Sequence, residues 1–564
     1  MDLITNFMNL VAPPTALITL FLFVPPFYFF KLFLSFLASL FPEDITHKVV
    51  LITGASSGIG EQLAYQYAKK GAALALVARR EASLREVADR AQDLGSPNVL
   101  VIRADVGKPD DCRRFVEETV SHFGRLDHLV NNAGISNICY FEEASDITNF
   151  TQVMDINFWG SVYPTYYALP HLKRTGGKIL VNASAAGWSP MPRMSFYNAS
   201  NAALINFYET LRIELGREVG VTIATPGWIE SEMTKGKHLS KHGRMEVDQE
   251  LRDAQISLFP VVHTEECAKA MMDAACRGDR TVTVPAWFRV LYLWRVFAPE
   301  VFDWCYRMLY VTRPGAHHGE SPSKKLVDMT GAKEFLYPSS IKSPEIKNEF
   351  DKSPSHVMSV NKSIIVEQDV NFWGSVYPTH FAIPHHKKTG GRIVGITSIA
   401  GYNFIPRMSF YSASKGALLN FYETIRVELG REVGVTIVVP GVIESEMSKG
   451  KVFSREGRMK VDQDLRDVVL STVPVERTED CAKAIVKGAC RGAGYVIEPP
   501  WFISLYFFRV FLPEIVGWSM RLLYMTLPGA PTATSALTKK LLDLSASKDL
   551  LYPSSIVSPE IKAG

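Results

Sequence analysis

Cysteine is scarce in this chain. Seven occur in 564 residues, at 112, 139, 267, 276, 305, 481 and 490, an odd number with no two at CxxC spacing. That excludes a disulfide framework or zinc site and suits a reducing, cytosol-facing compartment. The pairs His317-His318 and His385-His386 also lack ligand spacing, so no metal is expected. Neither sign of charge is in excess: 61 Lys and Arg stand against 58 Asp and Glu, a formal net charge of +3. Such a balance carries no electrostatic footprint for nucleic acid. Hydrophobic residues at 47% against 21% charged exclude disorder along the whole length.

Charge is missing altogether from Leu10 to Phe30, LVAPPTALITLFLFVPPFYFF, and after Lys31 a further apolar run extends to Phe41. The uncharged run meets the roughly 20 residues needed to cross a hydrocarbon core about 30 Å thick. A basic n-region is absent, which argues against a cleavable signal peptide. Residues 1–46 therefore read as a membrane anchor. It is either one helix or, with a turn at Pro25-Pro26, a hairpin dipping into one leaflet. Asp2 precedes the run, whereas Lys31, Lys48, Lys69, Lys70, Arg79 and Arg80 follow it, which puts the body of the protein on the cytosolic side.

What the chain has in abundance is self-similarity. Residues 157–233, from NFWGSVYPT to TPGWIESEM, recur as residues 371–447 at a constant offset of 214, with about two-thirds of positions identical. The likeness runs on through Trp287 and Trp501 to the LYPSS and PEIK segments of each copy. A period this long marks a duplicated half-domain rather than a solenoid unit. Residues 48–150 have no second copy. The chain thus divides into an anchor (1–46), a complete domain (47–340), a Ser-, Pro- and charge-rich linker (341–364) and a partial repeat (365–564).

The unrepeated segment holds a dinucleotide-binding pattern. Lys48 to Thr53, KVVLIT, reads as a buried parallel strand and runs into Gly54, Ala55, Ser56, Ser57, Gly58, Ile59 and Gly60, followed by the helical EQLAYQYAKKG. Glycines at such a turn let the backbone approach a pyrophosphate, which the helix N-terminus then receives. The next strand, ALALVA, ends at Arg79 and Arg80 with no carboxylate at its tip. An arginine there suits the 2′-phosphate of NADP better than the ribose hydroxyls of NAD. Two further strand ends add candidates: Asp105 and Val106 for adenine, and Asn131, Asn132, Ala133 and Gly134 for the ribose path.

TGASSGIG, NNAG, Asn157, and Ser184 thirteen residues before Tyr197 together resemble the short-chain dehydrogenases/reductases. The apolar N-terminus with paired prolines, RMSFYNAS and IESEM are similar to plant steroleosin-like, 11-beta-hydroxysteroid dehydrogenase-like proteins, over residues 1–349 and again over 365–564. The resemblance implies an α/β Rossmann-type, doubly wound parallel sheet. It implies NADP-linked oxidation or reduction of a steroid or sterol-like lipid at a hydroxyl or ketone. It also implies residence on lipid droplets or the endoplasmic reticulum, and pairing into a homo-oligomer. Tyr197 would be the general acid or base, Ser184 would hold the substrate oxygen, and Asn157 would hold a relay water.

The family places a Lys four residues after the Tyr, to depress its pKa and bind the ribose. Here that residue is Asn201, so the first copy is expected to bind NADP and turn over poorly. The alternative is a sterol- or NADP-binding protein without catalysis. The repeat keeps the full set, Asn371, Ser398, Tyr411 and Lys415, but has no glycine-rich turn. It either docks on the first copy as an internal pseudo-dimer, the favoured arrangement, or replaces the equivalent strands of the first copy.

Overall fold

Short runs of aliphatic and β-branched residues build the central sheet: β1 (Val49–Thr53), β2 (Ala73–Ala78), β3 (Val99–Arg103), β4 (His128–Asn131), β5 (Lys178–Asn182) and β6 (Gly220–Pro226). A small antiparallel hairpin, β7 (Lys237–Leu239) with β8 (Met245–Val247), precedes the seventh sheet strand, β9 (Thr281–Val284). The seven strands pair in parallel in the order β3-β2-β1-β4-β5-β6-β9. The computed structural model describes residues 2–40, 42–312, 321–342, 367–453, 459–470, 473–525, 536–544 and 551–557. The expected linker at 341–364 lies outside them except for Ile341 and Lys342.

Side chains alternate across a strand, so one run feeds two cores. Val49 and Leu51 join Phe115, Val116, Phe158 and Phe207 on one face, while Val50 and Ile52 join Leu63, Tyr67, Met271 and Met272 on the other. Helices therefore cover both faces, as an all-parallel sheet requires. Each such side chain, fully buried, contributes roughly 1.5–3 kcal/mol.

The repeat forms a separate sheet. Its strands are β10 (Arg392–Ile396), β11 (Gly434–Pro440) and β14 (Tyr495–Glu498), parallel in the order β10-β11-β14. Another antiparallel hairpin, β12 (Lys451–Phe453) with β13 (Met459–Val461), lies between them in sequence. In the first copy β4 keeps β5 as its neighbour, so no strand is replaced. The repeat instead lays its helix Ser409–Leu429 along the helix Ser195–Leu215 of the first copy.

Paired contacts across this seam are reciprocal. Arg193 N donates to Glu428 at 2.6 Å, and the equivalent Arg407 N donates to Glu214 at 2.7 Å. Arg307 donates to the Val427 carbonyl, and the equivalent Arg521 donates to the Ile213 carbonyl. Reciprocity of this kind is the mark of an isologous, two-fold interface. Lacking its own nucleotide-binding half, the repeat leaves one sheet edge open: Val394 and Ile396 on β10 are 39% and 44% exposed, where Leu180 on β5 is 1% exposed.

Asp2–Leu40 is one helix that continues through Pro13, Pro14, Pro25 and Pro26, and no turn forms at Pro25-Pro26. Its Ile4–Leu37 stretch is long and apolar enough to cross a membrane and is largely exposed, although Ala16 and Leu20 are buried. Lys31 pairs with Glu514 at 2.6 Å, and Asn9 accepts from Trp501 N at 3.0 Å, which ties the helix to the repeat.

One substitution between the copies has a pH consequence. Where the first copy has Val262 and Val284, the repeat has Glu476 and Glu498. Burial and the neighbouring Glu498 carboxylate push Glu476 up to about 8. A carboxyl raised in the folded state stabilises the fold fully below its unfolded pKa, and the contribution is lost as pH rises through about 8. Replacing both glutamates by valine should therefore raise the thermal midpoint by several degrees at pH 9 and by much less at pH 5. Equal shifts at the two pH values in thermal unfolding would show that the pair does not titrate in this way.

Candidate active site

The strand C-termini of the large sheet open into a cleft of about 1010 Å³. One end begins at the turn after β1. Gly54 (φ 66°) and Gly58 (φ 61°) occupy left-handed backbone that other residues rarely adopt. Gly60 serves a different end: a Cβ there would stand 2.3 Å from the Gly54 carbonyl and 2.4 Å from Asn132 Nδ2. It lets the helix Gly58–Ala68 close against β4 and does not face the cleft, which corrects its expected place among the binding residues. Ser56, Ser57, Gly58, Ile59, Arg79 and Arg80 do line this end.

Arg80 is already engaged. It donates to Glu232 at 2.6 Å and to the hydroxyls of Ser57 at 2.6 Å and Ser56 at 3.2 Å. Lys237 also pairs with Glu232, at 2.8 Å. Arg79 is exposed at the rim. Sequence reasoning missed Glu232, although it lies in the IESEM segment already singled out as a family marker.

Asp105 and Val106 line the middle of the cleft with Asn132, Ala133 and Gly134. Asn131 does not. Its amide donates to Thr165 at 2.8 Å and Tyr208 at 3.1 Å, 1% exposed, so it braces β4 from within and is removed from the cofactor set. Period-two alternation puts consecutive asparagines on opposite sides, and only Asn132 looks outward. Asn132 donates to the carbonyls of Thr53 at 3.0 Å and Gly54 at 3.3 Å, pinning the glycine turn to β4.

Asn157, Ser184, Tyr197 and Asn201 also line the cleft. Asn157 holds Ile135 by both backbone groups, accepting from its N–H at 2.8 Å and donating to its carbonyl at 3.0 Å, and also donates to Ser200 at 2.9 Å. Burial pushes the Tyr197 phenol above its ordinary value, and hydrogen bonds with Ser184 and Asn201 offset part of that rise. Asn201 spends its amide on the Tyr197 carbonyl at 2.9 Å and brings no charge. The far end of the cleft is apolar, lined by Met191, Met194, Trp228, Phe259, Phe288 and Tyr306. Phe288 and Tyr306 fall in the stretch Trp287 to Tyr310, whose density of aromatics suits a sterol entrance or a membrane contact; the other four come from segments that carry no such signal.

In the repeat, Tyr411 is pushed up by burial and relieved in part by a hydrogen bond with Ser398. Desolvation pushes Lys415 down to about 8, and Asn371 donates to Ser414 at 3.1 Å. The four expected catalytic residues Asn371, Ser398, Tyr411 and Lys415 are absent from the cleft lining, and no dinucleotide turn belongs to their sheet. Their assignment to a working site is corrected accordingly: none of β10, β11 and β14 runs into a glycine-rich turn, and the strand that carries that turn in the first copy has no counterpart in their sheet. Among the described residues there is no group of three or more side chains fit to hold a metal.

A family model described as short chain dehydrogenase matches residues 48–241 and 352–455. The chain is 54% identical over 349 residues to 11-beta-hydroxysteroid dehydrogenase A of Sesamum indicum, covering 62% of this chain and 100% of that one. It is 55% identical over 349 residues to the protein of that name from Arachis hypogaea, with the same coverage. A solved short-chain dehydrogenase/reductase from Burkholderia phymatum, in complex with NAD, is 24% identical with a TM-score of 0.42, covering 46% of this chain and 96% of that chain. The chain therefore belongs to the short-chain dehydrogenase family, and it is an oxidoreductase.

Gly60→Ala tests the turn. Overpacking of this kind costs about 1–3 kcal/mol of folding stability and forces the Gly54 carbonyl to move, so the thermal midpoint should fall by several degrees and dinucleotide affinity in titration calorimetry should fall with it. Unaltered affinity would mean that the turn does not seat the dinucleotide.

Proposed function

We propose that the chain is a membrane-anchored, NADP-dependent oxidoreductase for a hydroxyl or ketone of a steroid or sterol-like lipid, and that residues 47–340 hold its working site. The observation that carries this reading is one continuous cleft with a glycine-rich turn and arginines at one end, Tyr197 and Ser184 in the middle, and an apolar end. The names of the Sesamum and Arachis relatives support the steroid class. Exposed Trp294, Trp304 and Trp518, with the uncovered apolar helix, support attachment of a cytosol-facing domain to the endoplasmic reticulum or a lipid droplet.

The residues fit a nicotinamide dinucleotide: Gly54 and Gly58 give backbone clearance, the helix N-terminus at Gly58 gives amide donors, and Asp105 and Asn132 flank the path between. When bound, the cofactor supplies or accepts hydride. Tyr197 Oη gives a proton to the substrate oxygen or takes one from it, while Ser184 Oγ holds that oxygen. Asn157 fixes the Ile135 segment through which the ribose side is shaped. The apolar end excludes water from the ring system of the lipid. With Asn201 in place of the family's Lys, no cation favours the tyrosinate, and a loss of one to two units of pKa depression is worth roughly 1.4–2.7 kcal/mol.

Arg79→Asp should invert the NADP preference, because Arg80 is already committed to Glu232; binding titrations with both cofactors measure this. An unchanged NADP/NAD ratio would remove Arg79 as the phosphate ligand. Asn201→Lys should raise steroid turnover roughly ten- to hundredfold by restoring the missing charge. Turnover absent before and after that change, with NADP still bound, would favour a binding protein over an enzyme.

A further inference from the structure

The repeat touches the first copy unevenly. Asn420, on the helix Ser409–Leu429, donates to the carbonyls of Ala186 at 3.2 Å and Gly187 at 2.9 Å. Thr424 accepts from Asn198 at 3.0 Å, and Asn198 in turn holds the Met191 carbonyl at 2.7 Å. Glu428 accepts from Arg193 N at 2.6 Å and Phe141 N at 3.0 Å. Arg193 is wholly buried at φ 69°, a backbone conformation that needs such fixing.

The same helix also braces the two helices Phe288–Phe297 and Pro299–Tyr310. Glu423 pairs with Arg295, and Arg426 pairs with Asp303 at 2.6 Å. Tyr306, on the second of these helices, bonds Ser189 at 3.0 Å. The segments held in this way carry Ala186, Ser189, Met191, Met194, Phe288 and Tyr306, all of which line the apolar end of the cleft. The glycine turn and Arg79–Arg80 receive no hydrogen bond or ion pair from the repeat among the contacts of the described residues.

We propose that the repeat is a built-in partner subunit that shapes the substrate end of the single cleft, with Glu428 as a positioning residue for the segment 186–194. The substrate part of this inference rests on the steroid reading above. The positioning part does not. Two carboxylates in the same chain make a matched experiment, since Glu214 forms the mirror-image bond to Arg407 N in the repeat, where there is no dinucleotide cleft to shape.

Hydrogen–deuterium exchange on the full chain without ligand is the first readout. Glu428→Ala should raise exchange in 186–194, Glu428→Gln should raise it less, and Glu214→Ala should leave that segment as it is. NADP affinity by titration should stay within about twofold for all three. With a steroid substrate, Glu428→Ala should raise KM by roughly tenfold with kcat nearly constant, a loss of positioning expressed in binding. Unchanged exchange at 186–194, or an equal rise with Glu214→Ala, would overturn the proposal, as would a KM that does not move while exchange rises. If exchange responds as expected but no variant, nor the unaltered chain, turns over any steroid, the positioning stands and the steroid reading falls.

Discussion

The helix Ser195–Leu215 answers to two neighbours at once. One side lies over the large sheet through Phe196, Ala199, Ala203 and Phe207, and another lies against the equivalent helix of the repeat. Tyr197 and Asn201 are fixed between these commitments, so the position of the Tyr197 phenol is set by packing on both sides. Phe196 is in contact with Phe141, Phe150, Trp373 and Phe421, rings drawn from both copies. Dense interiors of this kind transmit displacement rather than absorb it. Tyr197 thus stands next to a ring cluster that both copies build.

Much of this was legible from residue order. The strand–glycine–helix pattern located the turn, and the offset of 214 located the repeat, which forms a sheet of its own. Short-range signals of this sort survive because they are written within one turn of backbone. Asn131 and Gly60 were misplaced for the same reason. Adjacent residues in a conserved-looking string go to opposite faces, and a string does not say which member packs and which binds.

What the order of residues conveyed only in part was the apolar end of the cleft and the reciprocal seam. The aromatic stretch Trp287 to Tyr310 hinted at Phe288 and Tyr306, but Met191 and Phe259 join them only after the chain has folded back several times. Glu428 reads as an ordinary exposed helix charge until its partners, Arg193 N and Phe141 N, arrive from more than two hundred residues away. The proline pairs left two readings open. They allow a turn as well as a single helix, and the helix Asp2–Leu40 runs through them.

The open edge of β10 bears on what holds the repeat together. The inner side chains of the repeat, among them Phe372, Phe421, Ile425 and Ile437, belong to one hydrophobic cluster with Phe158, Phe196 and Phe207 of the first copy. Three strands with one bare edge and a shared interior do not amount to a separate domain. The repeat thus buries its inner side chains only by sharing the interior of the first copy, and the chain gains there a core that three strands could not close by themselves.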